Sequence, residues 1–157
     1  MCFNFRMVKM KKDKGMSIEE LKNLVKAGQV GSFLHVKDAA EANELQELAM
    51  QSRLQIPLII GIDAIHGHAH ISGSTVYPTQ LSLSSSWDDD LLYRIAGATA
   101  KEMRATGMQW NFSPNVDVAR DPRWGRSGET FGEDPYMVTR MGVAFTKGYQ
   151  GNYGTEN

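Results

Sequence analysis

An α/β fold built around a parallel sheet is predicted by three features of the chain. Apolar periodicity alternates helix, strand, helix, strand, helix, strand, helix along the sequence. The strand-like runs lack polar alternation, as strands covered on both faces do. These runs also hand over to loops dense in charge, aromatic rings and glycine, where α/β proteins place their chemistry. Such alternation produces right-handed βα units, belonging either to a partial (β/α)8 barrel of TIM type, its first three or so βα units, or to a small open three-layer sheet. A whole barrel takes about 250 residues. The 157 residues present fit the open sheet or the partial barrel.

Ser17 followed by Glu20 makes a capping box. Leu21, Leu24 and Val25 then repeat at helical spacing before Gly28, which predicts a helix over 17–27. Val30 to Val36 is a compact β-favouring run and reads as a buried strand. Asp38 and Glu41 form a second capping arrangement. Ala42, Leu45, Leu48, Ala49 and Leu54 mark one face of a helix over 39–54. Pro57 opens the next strand, and Leu58 to Ile62 is almost wholly apolar.

From Ala64 to Ser86 runs a long connection rich in Gly, Ser, Thr and His, and long ordered connections in compact domains usually carry function. Asp88 to Asp90 load negative charge onto a helix N-terminus. Leu92, Ile95, Ala96, Thr99 and Met103 follow at helical spacing until Gly107. Met108 to Ser113 and Val116 to Ala119 read as a third strand broken near Pro114. Trp110, alternating with Phe112, is expected in the core. Asp134-Pro135 is an N-cap with proline at the first helical position, and Val138, Met141, Gly142, Phe145 and Tyr149 face one way along the last helix.

The composition is 41% hydrophobic, with 17 basic and 18 acidic side chains and a net charge of −1. That balance gives no electrostatic reason for a nucleic-acid or anionic-membrane partner. The one cysteine, Cys2, rules out an intramolecular disulfide and a thiolate metal cluster. Residues 1–15 are expected to be a disordered or non-native tail, 16–151 the folded domain and 152–157 a polar tail. The N-terminal stretch lacks the apolar core of a secretion signal, and the longest apolar runs are too short to span a bilayer.

Asp63 lies at the C-terminal end of the second strand, the end where α/β folds collect catalytic and binding groups. A carboxylate there accepts two hydrogen bonds from neighbouring hydroxyls, as a sugar ring offers them; the structural alternative is a cap on the following turn. His66, His68 and His70 alternate as metal ligands do in some barrel hydrolases, yet the chain supplies only His35 besides. Loop histidines bonded to backbone are the competing reading. Arg120, Arg123 and Arg126 crowd one loop with Asp117, Asp121, Glu129, Glu133 and Asp134, so an ion-pair network is expected. Trp124 in the same loop offers a flat platform for a sugar face, and Gly125 and Gly128 let backbone approach a ligand. Neither Gly-x-Gly-x-x-Gly nor a P-loop is present to favour phosphate. Gly-x-Ser-x-Gly and His-Glu-x-x-His are likewise missing.

Several runs together resemble one family. They are Gly61 to His68, Tyr77-Pro78, Glu102-x-Arg104-Ala105-x-Gly107, Phe112-Ser113-Pro114, Arg120-Asp121-Pro122-Arg123-Trp124-Gly125-Arg126 and Glu129-x-Phe131-Gly132-Glu133-Asp134-Pro135. Over about residues 24–151 the chain is similar to the N-terminal domain of family 3 glycoside hydrolases, in the β-glucosidase and β-glucan exohydrolase branch. The resemblance implies a (β/α)8-type barrel that removes β-linked glucosyl units from the non-reducing end with retention. It implies that Asp63 and Arg126 grip hydroxyls of the innermost sugar, with His66, Trp124 and Arg120 as supporting positions. The partner implied is a β-glucoside or β-glucan oligosaccharide, with no cofactor and no metal.

The family's Lys-His pair, its aspartate nucleophile and its acid/base would lie beyond Asn157. The resemblance therefore implies no catalytic residue within these residues, and the chain is expected to be the first βα units of a larger enzyme. A non-catalytic carbohydrate-binding fragment and a metal-dependent barrel hydrolase using His66, His68 and His70 are the alternatives. Relatives are commonly exported, which leaves localisation open. Unpaired sheet edges predict self-association.

Overall fold

The computed structural model describes residues 7–9, 17–36 and 38–151. The sheet has four parallel strands in the order β1-β2-β3-β4: β1 (Met7–Lys9), β2 (Ser32–Leu34), β3 (Ile59–Ile62) and β4 (Trp110–Asn111). Among the described residues five α-helices accompany them: α1 (Ile18–Lys26), α2 (Ala39–Met50), α3 (Gln80–Ser84), α4 (Asp89–Ala105) and α5 (Pro135–Gln150). The chain divides into two compact units. One comprises Met1–Asp63 with Arg104–Asn111, the other Ala64–Met103 with Phe112–Asn157. Among the described residues no helix is long and apolar enough to cross a membrane.

The first unit holds the sheet. Its register pairs Phe33 with both Val8 and Ile60, and Gly61 with Trp110. The parallel sheet, the α/β class and the burial of β2 agree with the sequence reading. Phe33, Ile60 and Ile62 are fully buried, which is why these runs carry no polar alternation. The capping box of α1 forms in both directions, Ser17 Oγ accepting from Glu20 N–H and the Glu20 carboxylate accepting from Ser17 N–H at 2.7 Å. The Asp38 carboxylate accepts from Glu41 N–H at 2.9 Å and starts α2. Lys22 of α1 pairs with Glu44 of α2. Gln46 of α2 brackets Leu58, donating to its carbonyl at 2.8 Å and accepting from its N–H at 2.9 Å, so the helix fixes where β3 begins.

Four expectations need correction in this region. Part of the tail expected over 1–15 is a strand, because the backbone of Met7–Lys9 completes the ladder on the open side of β2; the rest of that tail, and 152–157, lie outside the described residues. Helix α2 ends at Met50, not at 54, with Gln51 as its cap and Leu54 45% exposed. Ile59 is 41% exposed, so β3 is not covered along its whole length. Finally, the third predicted strand shrinks to Trp110–Asn111, and Trp110 and Phe112 are 38% and 37% exposed instead of core. The backbone past Asn111 leaves the ladder before Pro114, which has no N–H to give it.

The second unit is organised by α4 and α5. The helix-face residues read from the sequence of α4, Leu92, Ile95, Ala96, Thr99 and Met103, are the buried ones. Leu92, Ile95 and Ala96 pack with Phe131, Val138 and Phe145 in one apolar cluster. Phe145 meets Phe131 and Tyr149 edge to face, with ring centroids 5.7 and 5.2 Å apart. The Asp134 carboxylate accepts from Met137 N–H at 2.9 Å, with Pro135 in the first turn. Arg140 of α5 pairs with Asp89 of α4. Helix α3 was not expected; Thr79 caps it. Its Gln80, fully buried, accepts from Asn115 N–H at 3.1 Å and donates to the Asn115 carbonyl, and so serves the backbone where residues 116–119 had been expected as strand.

Candidate functional site

In the first unit, β2 and β3 end side by side. The ladder runs one residue beyond β2, since His35 N–H donates to the Gly61 carbonyl at 3.0 Å. His35 then turns out of the sheet with φ of 58°, in the left-handed region where histidine is one of the few side chains found with any frequency. Asp63 is the first residue past β3. The two side chains meet, His35 Nε2 lying 2.6 Å from Asp63 Oδ2, with side-chain exposures of 24% and 37%. An ionised carboxylate only accepts, so the imidazole N–H donates. Sequence reasoning had counted His35 only as a spare histidine. The strand expected over Val30 to Val36 contains His35, whereas β2 ends at Leu34, and only that observed ending and the register of β2 on β3 bring His35 to Asp63.

The His-rich connection belongs to the second unit. Gly67 has φ of 88°, and a Cβ there would lie 2.2 Å from the Thr75 carbonyl, so only glycine permits the crossing. The crossing is fastened by Tyr77 N–H donating to the His66 carbonyl at 2.8 Å. Glu102 of α4 clamps Thr75, accepting from its N–H at 3.0 Å and its hydroxyl at 2.7 Å. Along the histidine run, His66 is half-buried, His68 buried and His70 exposed. His66 Nδ1 is buried without a hydrogen-bond partner among the described residues. Burial pushes the His68 imidazole below its ordinary pKa; the Glu102 carboxylate opposes this and His70 adds to it. Among the described residues no three His, Cys, Asp or Glu side chains gather as a metal would need.

The arginine loop lies in the same unit. Arg123 forks onto Asp121, with Nη2 2.6 Å from Oδ2, and holds that carboxyl below its ordinary range. Arg126 donates to the Glu129 carboxylate through Nε at 2.9 Å and Nη2 at 2.7 Å, across a 3-10 turn at Ser127–Glu129. Arg123–Asp121 and Arg126–Glu129 are local pairs of the expected ion-pair network, and the Asp134 carboxylate caps α5. Trp124 is half-buried, its carbonyl accepting from Ser127 Oγ at 2.7 Å. Arg120 is exposed. A Cβ built on Gly125 or Gly128 would meet nothing within 4 Å. Arg120, Trp124 and Arg126 lie in one loop of the second unit, and Asp63 pairs with His35 in the first.

Each residue has its own chemistry: Arg126 offers a planar fork of donors, and Asp63 a held acceptor. The sequence profile described as the glycosyl hydrolase family 3 N-terminal domain matches residues 4–155, a wider span than the motifs alone delimit. The chain is 37% identical over 134 residues to a periplasmic beta-glucosidase of Salmonella typhimurium, covering 85% of this chain and 17% of that protein. It is 42% identical over 119 residues to a beta-xylosidase of Formosa agariphila, covering 73% of this chain and 16% of that one. A solved exo-1,3/1,4-beta-glucanase from Pseudoalteromonas superposes with a TM-score of 0.80 at 36% identity, over 95% of this chain and 20% of the other. The chain thus spans 16–17% of the length of these two curated relatives. With the profile matched almost end to end and both relatives above 35% identity, the chain belongs to the glycosyl hydrolase family 3 N-terminal domain family.

Proposed function

We propose that these residues form the first βα units of a (β/α)8 barrel in a retaining, exo-acting β-glucosidase, and that they supply its sugar-gripping half. Strand order supports the barrel: β1-β2-β3-β4 runs in sequence with every neighbour parallel, without the reversal that an open doubly wound sheet makes at its switch point. The observation that carries the sugar-binding reading is the Asp63 carboxylate, placed just past β3 and held at 2.6 Å by an imidazole. The strand's C-terminal end is where barrels bind substrate. Arg126 is the second gripping residue in this reading, and His66, Trp124 and Arg120 support it.

Retaining hydrolysis needs two carboxyl groups about 5–5.5 Å apart, one attacking the anomeric carbon and one protonating the departing oxygen. In this reading both lie outside residues 1–157, which therefore bind sugar without cleaving it. The substrate is a β-glucoside or β-glucan oligosaccharide, taken from the non-reducing end; the names of the relatives include β-glucosidase, β-xylosidase and exo-β-glucanase. In the same reading the isolated chain self-associates through the unpaired edges of its sheet.

The test is kinetic and uses the protein translated from the whole reading frame. Asp63→Ala and Arg126→Ala are each expected to lower kcat/KM for an aryl β-glucoside by the equivalent of about 2–4 kcal/mol, as charged hydrogen bonds lost in the transition state do. An aryl β-xyloside is expected to be the poorer substrate. The 157-residue chain alone is expected to give no turnover. Near-wild-type kinetics for both variants, or retaining hydrolysis by the isolated chain, would refute the proposal.

A further inference from the structure

We propose that His35 is a positioning residue, which orients the Asp63 carboxylate so that its remaining lone pairs face the hydroxyls of the sugar. The inference rests on the reading that Asp63 grips sugar, and it names the group that makes the grip stereospecific. Three observations carry it. The Nε2–Oδ2 separation is 2.6 Å, short even for a charge-assisted hydrogen bond. The register sets Leu34 opposite Gly61, so His35 and Asp63 follow the paired strands β2 and β3 within one residue of each other, and the sheet itself sets their spacing. The backbone of His35 is left-handed, with φ of 58°, and side chains other than glycine keep that conformation only where their surroundings enforce it.

The energetic role follows from what a carboxylate does when unheld. Its two side-chain torsions sample several wells, and a ligand must freeze them on binding. An imidazole donating to Oδ2 freezes them beforehand. It occupies one acceptor site of Oδ2 and leaves Oδ1 for a hydroxyl. The pair is also partly screened from water, with side chains 24% and 37% exposed, so it is sheltered yet open to a ligand.

A glucose titration of the 157-residue chain tests this, read by calorimetry or by saturation-transfer NMR, with melting temperatures recorded alongside. His35→Gly relieves the left-handed backbone and removes the donor. It is expected to keep its melting temperature within a few degrees while weakening glucose binding about tenfold. His35→Gln places an amide N–H where Nε2 sits and is expected to restore most of the affinity. In an Asp63→Ala background, His35→Gly should change nothing further, since the two residues act as one unit.

Tight binding by His35→Gly, with Asp63→Ala still defective, overturns the inference and leaves the sugar-gripping reading intact. Indistinguishable titrations for the wild type and Asp63→Ala, absence of binding included, overturn both. His35→Phe, which keeps a ring but has no N–H, decides the matter if the glycine variant does not fold: wild-type affinity in it refutes the positioning role.

Discussion

Asp63 and Arg126 each reach the surface already bonded, one to His35 and the other to Glu129. The consequences differ. The Arg126–Glu129 pair is solvent-exposed at 61% and 36%, and such pairs are worth little to folding. His68 shows what burial does to the same kind of group. Its ring is fully buried, and its pKa is lowered chiefly by loss of hydration. The unfolded chain takes up a proton there near pH 6.5, whereas the folded chain resists until a lower pH. Stability is therefore complete above about pH 6.5 and declines as the pH falls through the window between the two values. Urea midpoints measured from pH 7.5 down to 5 should fall more steeply for the wild type than for His68→Gln, which cannot titrate; parallel slopes would refute this account.

Helices α4 and α5 pass close enough that the chain has removed a side chain to let them meet. A Cβ on Gly148 would lie 2.3 Å from the Tyr93 carbonyl oxygen and 2.7 Å from the Ala96 Cβ. Alanine gains about 1 kcal/mol in helix propensity over glycine, but overpacking costs about 1–3 kcal/mol, and here the obstacle is backbone. Gly148→Ala should thus be a net loss of about 1–2 kcal/mol in chemical denaturation. Gly97→Ala makes the contrast: its Cβ would meet the Gly148 carbonyl at an ordinary 3.6 Å, so it should be neutral or stabilising by up to about 1 kcal/mol. Equal effects of the two substitutions would contradict the close-crossing account. At this scale the helices were legible in the sequence because their signals are local. Ser17 with Glu20, Asp38 with Glu41, and Asp134 with Pro135 all sit within one turn of what they cap. Strand length was not legible, because a neighbour sets it: β4 extends only as far as Gly61 and Ile62 pair with it. Short α3 was hidden in a loop-like composition, with Thr79 its one clear mark.

In the sheet as a whole, the parallel class could be read from the alternation of apolar runs, whereas the contact between His35 and Asp63 could not. Those residues stand 28 positions apart, and only the strand register brings them together. In the proposed reading the same sheet also governs how the chain behaves in solution. Strand order leaves β1 and β4 at the edges of the sheet, and at β4 the edge carries Trp110, 38% exposed. An edge strand is a template for pairing with another chain, and an exposed apolar side chain on it adds contact area. Sedimentation velocity over a range of concentrations should therefore show an average mass that rises above that of the monomer. Trp110→Lys places on that edge the charge that natural edge strands use against pairing. It should shift the distribution toward monomer without changing the far-ultraviolet spectrum of the helices. A compact monomer at every concentration for the wild type would refute the edge-pairing argument, as would an unchanged distribution for Trp110→Lys.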